Sequence, residues 1–193
     1  MNNKFLQLRI ELDQAITFGK DEEARTIAQK GLDAAHTQGL PGEVEYFTAQ
    51  FFILKEDFQG AIRHLNQAIY FNPHDGAAFN DKALCLVELG NFDAALENFD
   101  KGILAEPDYA TVHHNKGWLL NKLGHYTAAL DCFYACLKLE PERAVTYENI
   151  GNAYRNLGMV DKAKEAYQKA LRFLPFGCDE IAGQIIALLE DSV

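Results

Sequence analysis

The sequence predicts an all-α solenoid, a row of paired amphipathic helices, and three observations carry that expectation. The stretch AAFNDKALCLVELGNFDAALENFDKGILAEP, Ala77 to Pro107, reads as two amphipathic helices joined at Gly90 and stopped by a proline. Shifted by 34 residues it recurs: Gly90, Gly124 and Gly158 fall in register, as do Ala95, Ala129 and Ala163. Pro73, Pro107, Pro141 and Pro175 are four stops at the same 34-residue spacing. A helix–turn–helix pair cannot bury its apolar face alone, so copies at this period must stack on one another.

The elements follow in order. Residues 5–38 are a worn copy of the unit: Gly19 aligns with Gly90 and Ala24 with Ala95, with helices expected from Phe5 to Phe18 and from Asp21 to His36. Gly39-Leu40-Pro41-Gly42 then breaks the chain. Residues 42–75 restore the frame, with a first helix over Glu43 to Lys55 and Ala61, Leu65 and Ala68 marking the second. Glu56 stands where the turn glycine belongs, and Asp57 is placed to cap the helix that follows. Residues 76–109, 110–143 and 144–177 are the clean copies; each has a turn glycine, a small residue early in the second helix and a ring four residues on (Phe99, Phe133, Tyr167). Cys178 to Leu189 is one more amphipathic helix with no second helix to pair with, as expected of a cap on a terminal repeat. This makes eleven helices, no strands and a single elongated domain over 1–193, with the capping helix at 178–190.

Composition narrows the class of function. The 193 residues are 48% hydrophobic and 24% charged, ordinary for a folded chain. The net charge of −10 concentrates in residues 42–109, where 12 Asp/Glu face 4 Lys/Arg. That argues against nucleic acid, whose phosphates require basic charge, and favours a basic or neutral protein partner. The stretch MNNKFLQLRIELDQ lacks the apolar core of a signal peptide, and no window is long and apolar enough for a membrane span. Cys85, Cys132, Cys136 and Cys178 lie inside helical patterns, so reduced thiols in a cytoplasmic protein are expected.

The residues also resemble a family. Ala83, Leu86, Gly90, Ala95, Phe99 and Pro107 match the tetratricopeptide-repeat pattern, as do Gly117, Leu120, Gly124, Ala129, Phe133 and Pro141. Tyr147, Gly151, Tyr154, Gly158, Ala163, Tyr167, Ala170 and Pro175 match it in the last copy. Glu45 and His113 replace its usual aromatic, and Lys82 and Lys116 its usual leucine. The resemblance implies a right-handed superhelix whose concave wall is made by the first helix of each repeat. Such proteins hold peptides or protein segments and usually catalyse nothing.

On that geometry the inward positions are Arg9, Asp13 and Ile16, then Tyr46, Phe47, Gln50 and Ile53. Asn80, Asp81, Leu84 and Val87 come next, then His114, Asn115, Trp118 and Asn121, and finally Glu148, Asn149, Asn152 and Arg155. Two features mark a peptide-binding groove. The amides of Gln50, Asn80, Asn115, Asn121, Asn149 and Asn152 each donate and accept, so each is able to pair with a peptide unit of an extended guest. Tyr46, Phe47 and Trp118 are expected as exposed ring anchors. The clamp by which some family members grip chaperone tails needs Lys and Asn in one repeat, Asn in the next, and Lys and Arg in the third. From residue 42 those places hold Tyr46, Gln50, Asp81, Thr111 and Asn115, and from residue 76 Asn80, Leu84, Asn115, Val145 and Asn149. The cations for a carboxylate are missing, and that chemistry is not expected.

Cys132 and Cys136 with His113 and His114 sketch a metal site, but the pattern fits a buried structural cysteine better, and no metal or other cofactor is expected. Neither a phosphate loop nor GxSxG nor HExxH occurs. The expectation is a non-catalytic, cytoplasmic adaptor or chaperone-like scaffold binding a protein or peptide, with no nucleic acid or membrane. The alternative is a self-assembly module, a homo-oligomer joined through its repeat ends or convex face, for which the aromatic run Tyr46, Phe47, Phe51 and Phe52 leaves room.

Overall fold

The computed structural model describes residues 3–17 and 19–190, and Phe18, the expected end of the first helix, lies outside them. Among the described residues there are eleven helices and no strand, the helical-repeat (α-solenoid) class that the period predicts. The chain divides between Glu106 and Pro107 into two compact units. Unit 1 holds α1 (Asn3–Thr17), α2 (Asp21–Gln38), α3 (Pro41–Ile53), α4 (Phe58–Phe71), α5 (Gly76–Glu88) and α6 (Phe92–Ala105). Unit 2 holds α7 (Ala110–Lys122), α8 (Tyr126–Leu139), α9 (Ala144–Asn156), α10 (Val160–Phe173) and α11 (Asp179–Glu190).

Each helix pair closes through the residues that mark the period. Gly90, Gly124 and Gly158 turn the chain at φ of 74°, 83° and 71°, a left-handed backbone that costs other residues about 1–2 kcal/mol. Glu56, where the glycine is missing, is forced to φ 59°, and Asp57 helps hold that turn by accepting from Gly60 N at 2.8 Å. Ala61, Ala95, Ala129 and Ala163 are fully buried at the helix crossings. The ring one turn later packs flat against a glycine of the first helix: a Cβ on Gly117 would lie 2.7 Å from Phe133, and one on Gly151 2.4 Å from Tyr167.

Within unit 1 the pairs stack side by side, α2 on α3 and α4 on α5. The worn first repeat still supplies a core face, since Phe5, Leu8, Leu12 and Ala15 of α1 are buried. In unit 2, α8 stacks on α9, α7 also touches α9, and α11 closes α10. Ile185 of α11 enters a cluster with Ala163, Tyr167 and Ala170, as a capping helix should.

Candidate binding groove

In unit 1 the inward side chains are tied to one another. Arg9 on α1 donates from both terminal nitrogens to Asp75 at 2.8 and 2.9 Å, and one of them also reaches Glu43 at 3.0 Å. Its guanidinium lies 3.6 Å from the centroid of the Tyr46 ring. Asp75 in turn caps α5, accepting from Ala78 N at 3.0 Å. One fork thus joins the first helices of three successive repeats. Asp81 accepts from Gln50 Nε2 at 2.8 Å and from Asn80 Nδ2 at 3.1 Å. Burial pushes its carboxyl up to about 6; hydrogen bonds from Gln50, Asn80 and Tyr46 restrain the shift, and Asp13 adds to it.

That network corrects the expected ring anchors. Tyr46 is 5% exposed and Phe47 0%, so neither ring stands in an open trough. The first repeat places Gly31 opposite Phe47, whose ring fills the space a Cβ would need and meets Phe5 at 6.1 Å between centroids. Tyr46 is covered by Arg9, while the Gln50 and Asn80 amides are buried and engaged with Asp81. Leu84 and Ile53 stay partly exposed, Asp13 and Ile16 are exposed, and Val87 is buried.

Unit 2 is more open. His114 is buried beneath α9, its Nδ1 2.9 Å from Thr146 Oγ1, and burial followed by the charge of Arg143 lowers its pKa to about 3. The imidazole is therefore neutral and part of the core, with Cys136 Sγ 3.6 Å from the same hydroxyl. Burial likewise raises the Cys136 thiol. His113 faces its own loop, Nε2 3.0 Å from the carbonyl oxygen of Pro107.

Around them Asn115, Trp118 and Asn121 of α7 and Glu148, Asn149 and Asn152 of α9 remain partly exposed, and Arg155 is exposed. Lys122 lies 5.3 Å from the Trp118 ring centroid. Asn149 donates to Val145 O at 2.9 Å, Asn152 Oδ1 accepts from Tyr167 at 2.8 Å, and burial raises the Glu148 carboxyl. Asn121 Oδ1 differs: it is buried and has no hydrogen-bond partner among the described residues. The predicted positions therefore separate into a sealed network in unit 1 and a partly open, amide-bearing wall in unit 2. Sequence reasoning missed the Arg9–Asp75–Glu43 fork, although Arg9 and Glu43 stand 34 residues apart. The repeat register aligns Arg9 with Tyr46 and not with Glu43, so periodicity carried no signal for this pairing.

Among the described residues no group of three His, Cys, Asp or Glu side chains is placed to hold a metal ion, and no helix is long and apolar enough to cross a membrane. Family models described as tetratricopeptide repeat match residues 52–118, 110–143 and 144–176. Comparison with curated proteins yields no match. Among solved structures the chain is similar to TTC0263, a thermophilic TPR protein in Thermus thermophilus, at 20% identity and a TM-score of 0.75, over 94% of this chain and 96% of that one. It is similar to YrrB, described as a TPR protein with an unusual peptide-binding site, at 20% identity and 0.62, over 90% and 88%. MamA from Desulfovibrio magneticus RS-1, starting at its residue 41, aligns at 22% identity and 0.64, over 79% and 89%. At such identities the likeness is one of fold.

Proposed function

Because the chain belongs to the tetratricopeptide-repeat family, whose members serve in general as protein-interaction scaffolds rather than catalysts, we propose that it holds an extended segment of a partner protein against α7 and α9. The observation that carries this reading is Asn121 Oδ1. An unpaired buried acceptor costs about 1–3 kcal/mol, and the part-exposed Asn121 side chain would recover that cost by turning Oδ1 outward to a backbone N–H of a guest. Asn115 and Trp118, on the same helix and part-exposed, supply a second amide and an apolar ring beside it. Asn149 and Asn152 continue the amide row along α9. On this proposal the protein is a cytoplasmic, non-catalytic adaptor or chaperone-like binder, and its five repeats work as one domain. The buried Tyr46, Phe47, Gln50 and Asn80 act as supports rather than contacts.

Trp118 is the sole tryptophan of the chain, so its emission reports occupancy directly. A peptide selected by display against the full-length protein should shift that emission saturably. Asn115→Ala with Asn121→Ala should weaken the peptide, read by anisotropy, about tenfold or more. A peptide that binds with unchanged emission and equal affinity for the double variant would refute the assignment. The self-assembly alternative draws on Phe176 and Ile186, exposed apolar side chains near and on the terminal helix; a concentration-independent monomer by light scattering would remove it.

A further inference from the structure

Unit 2 gathers three phenol rings at a place the repeat pattern does not require. Tyr134 of α8, Tyr147 and Tyr154 of α9, and Lys162, Glu165 and Lys169 of α10 line a cavity of about 250 Å³. Neither Tyr147 nor Tyr154 is an inward-facing groove position. One repeat earlier, His113, Leu120, Ala128 and Ala135 stand in place of Tyr147, Tyr154, Lys162 and Lys169, so the set is particular to the last repeat. The Tyr134 and Tyr154 hydroxyls lie 2.8 Å apart. Such a pair uses one hydroxyl proton and leaves the other to donate outward. Tyr147 is fixed as a wall: its hydroxyl donates to Pro141 O at 3.0 Å and its ring stacks on Phe173 at 5.5 Å. Lys162 Nζ stands 5.4 Å from the Tyr154 centroid and Lys169 Nζ 5.7 Å from that of Tyr147. Glu165 lies one turn from each lysine, yet among the described residues neither ammonium has a carboxylate within 4.0 Å.

The chemistry selects the guest. An alkylammonium group would find the ring faces already occupied by ammonium ions and would be repelled. An oxyanion would meet two ammonium groups and a free phenolic O–H, all donors. Two lysines against one glutamate leave a surplus of one positive charge, which a monoanion neutralises. A phosphate dianion would overshoot it beside Glu165, in a chain of net charge −10. The volume admits a side chain and not a stretch of backbone. We infer that this cavity is a second binding site, independent of the groove, that takes the carboxylate of one aspartate or glutamate side chain from a partner protein.

The test is a proton–nitrogen correlation NMR titration of the full-length protein with the capped peptides acetyl-Gly-Glu-Gly-amide and acetyl-Gly-Gln-Gly-amide, and with acetate and inorganic phosphate. The glutamate peptide should shift amides around Tyr154 and Lys162 saturably, and the glutamine peptide should not. Lys162→Gln with Lys169→Gln should weaken binding about tenfold, the loss expected for two partly exposed ion pairs. Tyr134→Phe should weaken it severalfold, and both variants should keep the wild-type melting temperature. Equal shifts from the glutamine peptide would overturn the charge reading. Phosphate binding more tightly than the glutamate peptide would overturn the carboxylate assignment, and acetate binding as tightly as the peptide would overturn a protein side chain as its source.

Discussion

Replacing Arg9 with methionine tests how the worn first repeat is held to its neighbours. The side chains of Arg9, Asp75 and Glu43 are 5%, 3% and 13% exposed, so the substitution strands two carboxylates that water reaches poorly. Breaking a buried pair from one side costs about 3–5 kcal/mol, because the remaining charge keeps its desolvation penalty without its partner. Methionine keeps an apolar side chain over the Tyr46 ring, and Asp75 keeps the Ala78 N–H, so the expected loss is about 3 kcal/mol. Asp75→Asn added to Arg9→Met removes one stranded charge while retaining the cap acceptor, and should restore at least about 1 kcal/mol. Urea unfolding followed by circular dichroism gives the totals. Hydrogen exchange locates them: amides of α1, α3 and α5 should lose protection while those of α9 and α10 do not. A loss below about 1 kcal/mol with α1 still protected would refute the claim that the fork holds this repeat in place.

Three further substitutions probe the buried carboxyl, a ring–glycine contact and the terminal helix. Asp81 sits at about 6 in the folded protein against an ordinary 3.8, so the native state binds the extra proton between those values. Its contribution is fully present below the unfolded pKa and is lost as pH rises through about 6, by up to about 3 kcal/mol. Asp81→Asn should therefore flatten the stability profile between pH 4 and 7, roughly the titration window of this carboxyl; parallel profiles for the two proteins would sink the idea. Gly151→Ala places a methyl 2.4 Å from the fully buried Tyr167 ring, whose hydroxyl is tied to Asn152, and should cost about 2 kcal/mol or more. Gly183→Ala, with nothing within 4 Å of the added carbon, should stabilise α11 by up to about 1 kcal/mol. Melting temperatures moving the same way for both would contradict this packing account.

Much of the fold was legible because the packing shell repeats. Glycine at a left-handed turn, alanine at a helix crossing and a ring one turn later each answer a local demand that recurs every 34 residues, so identity of type at one interval exposes them. The substitute at Glu56 was equally readable, since Asp57 carries the carboxylate a first turn needs. What escaped was the cross-repeat chemistry. Periodicity groups Arg9, Tyr46 and Asn80 as one position, yet the three do different things: Arg9 pairs with Asp75, Tyr46 lies under Arg9, and Asn80 holds Asp81.

The same reasoning explains why the two ends of the expected groove differ. The repeats at 110–143 and 144–177 keep their consensus residues and satisfy their own cores, and their inward Asn115 and Asn149 side chains stay partly exposed. A repeat that has lost consensus residues must draw its packing from the neighbour's inward face. That is what α1 does with Tyr46 and Phe47: Phe5 meets the Phe47 ring and Arg9 covers Tyr46. Wear in one repeat therefore consumes binding surface in the next. The opening of the candidate groove in unit 2 follows from the regularity of residues 110–177, whereas the sealing of unit 1 follows from the irregularity of residues 5–38.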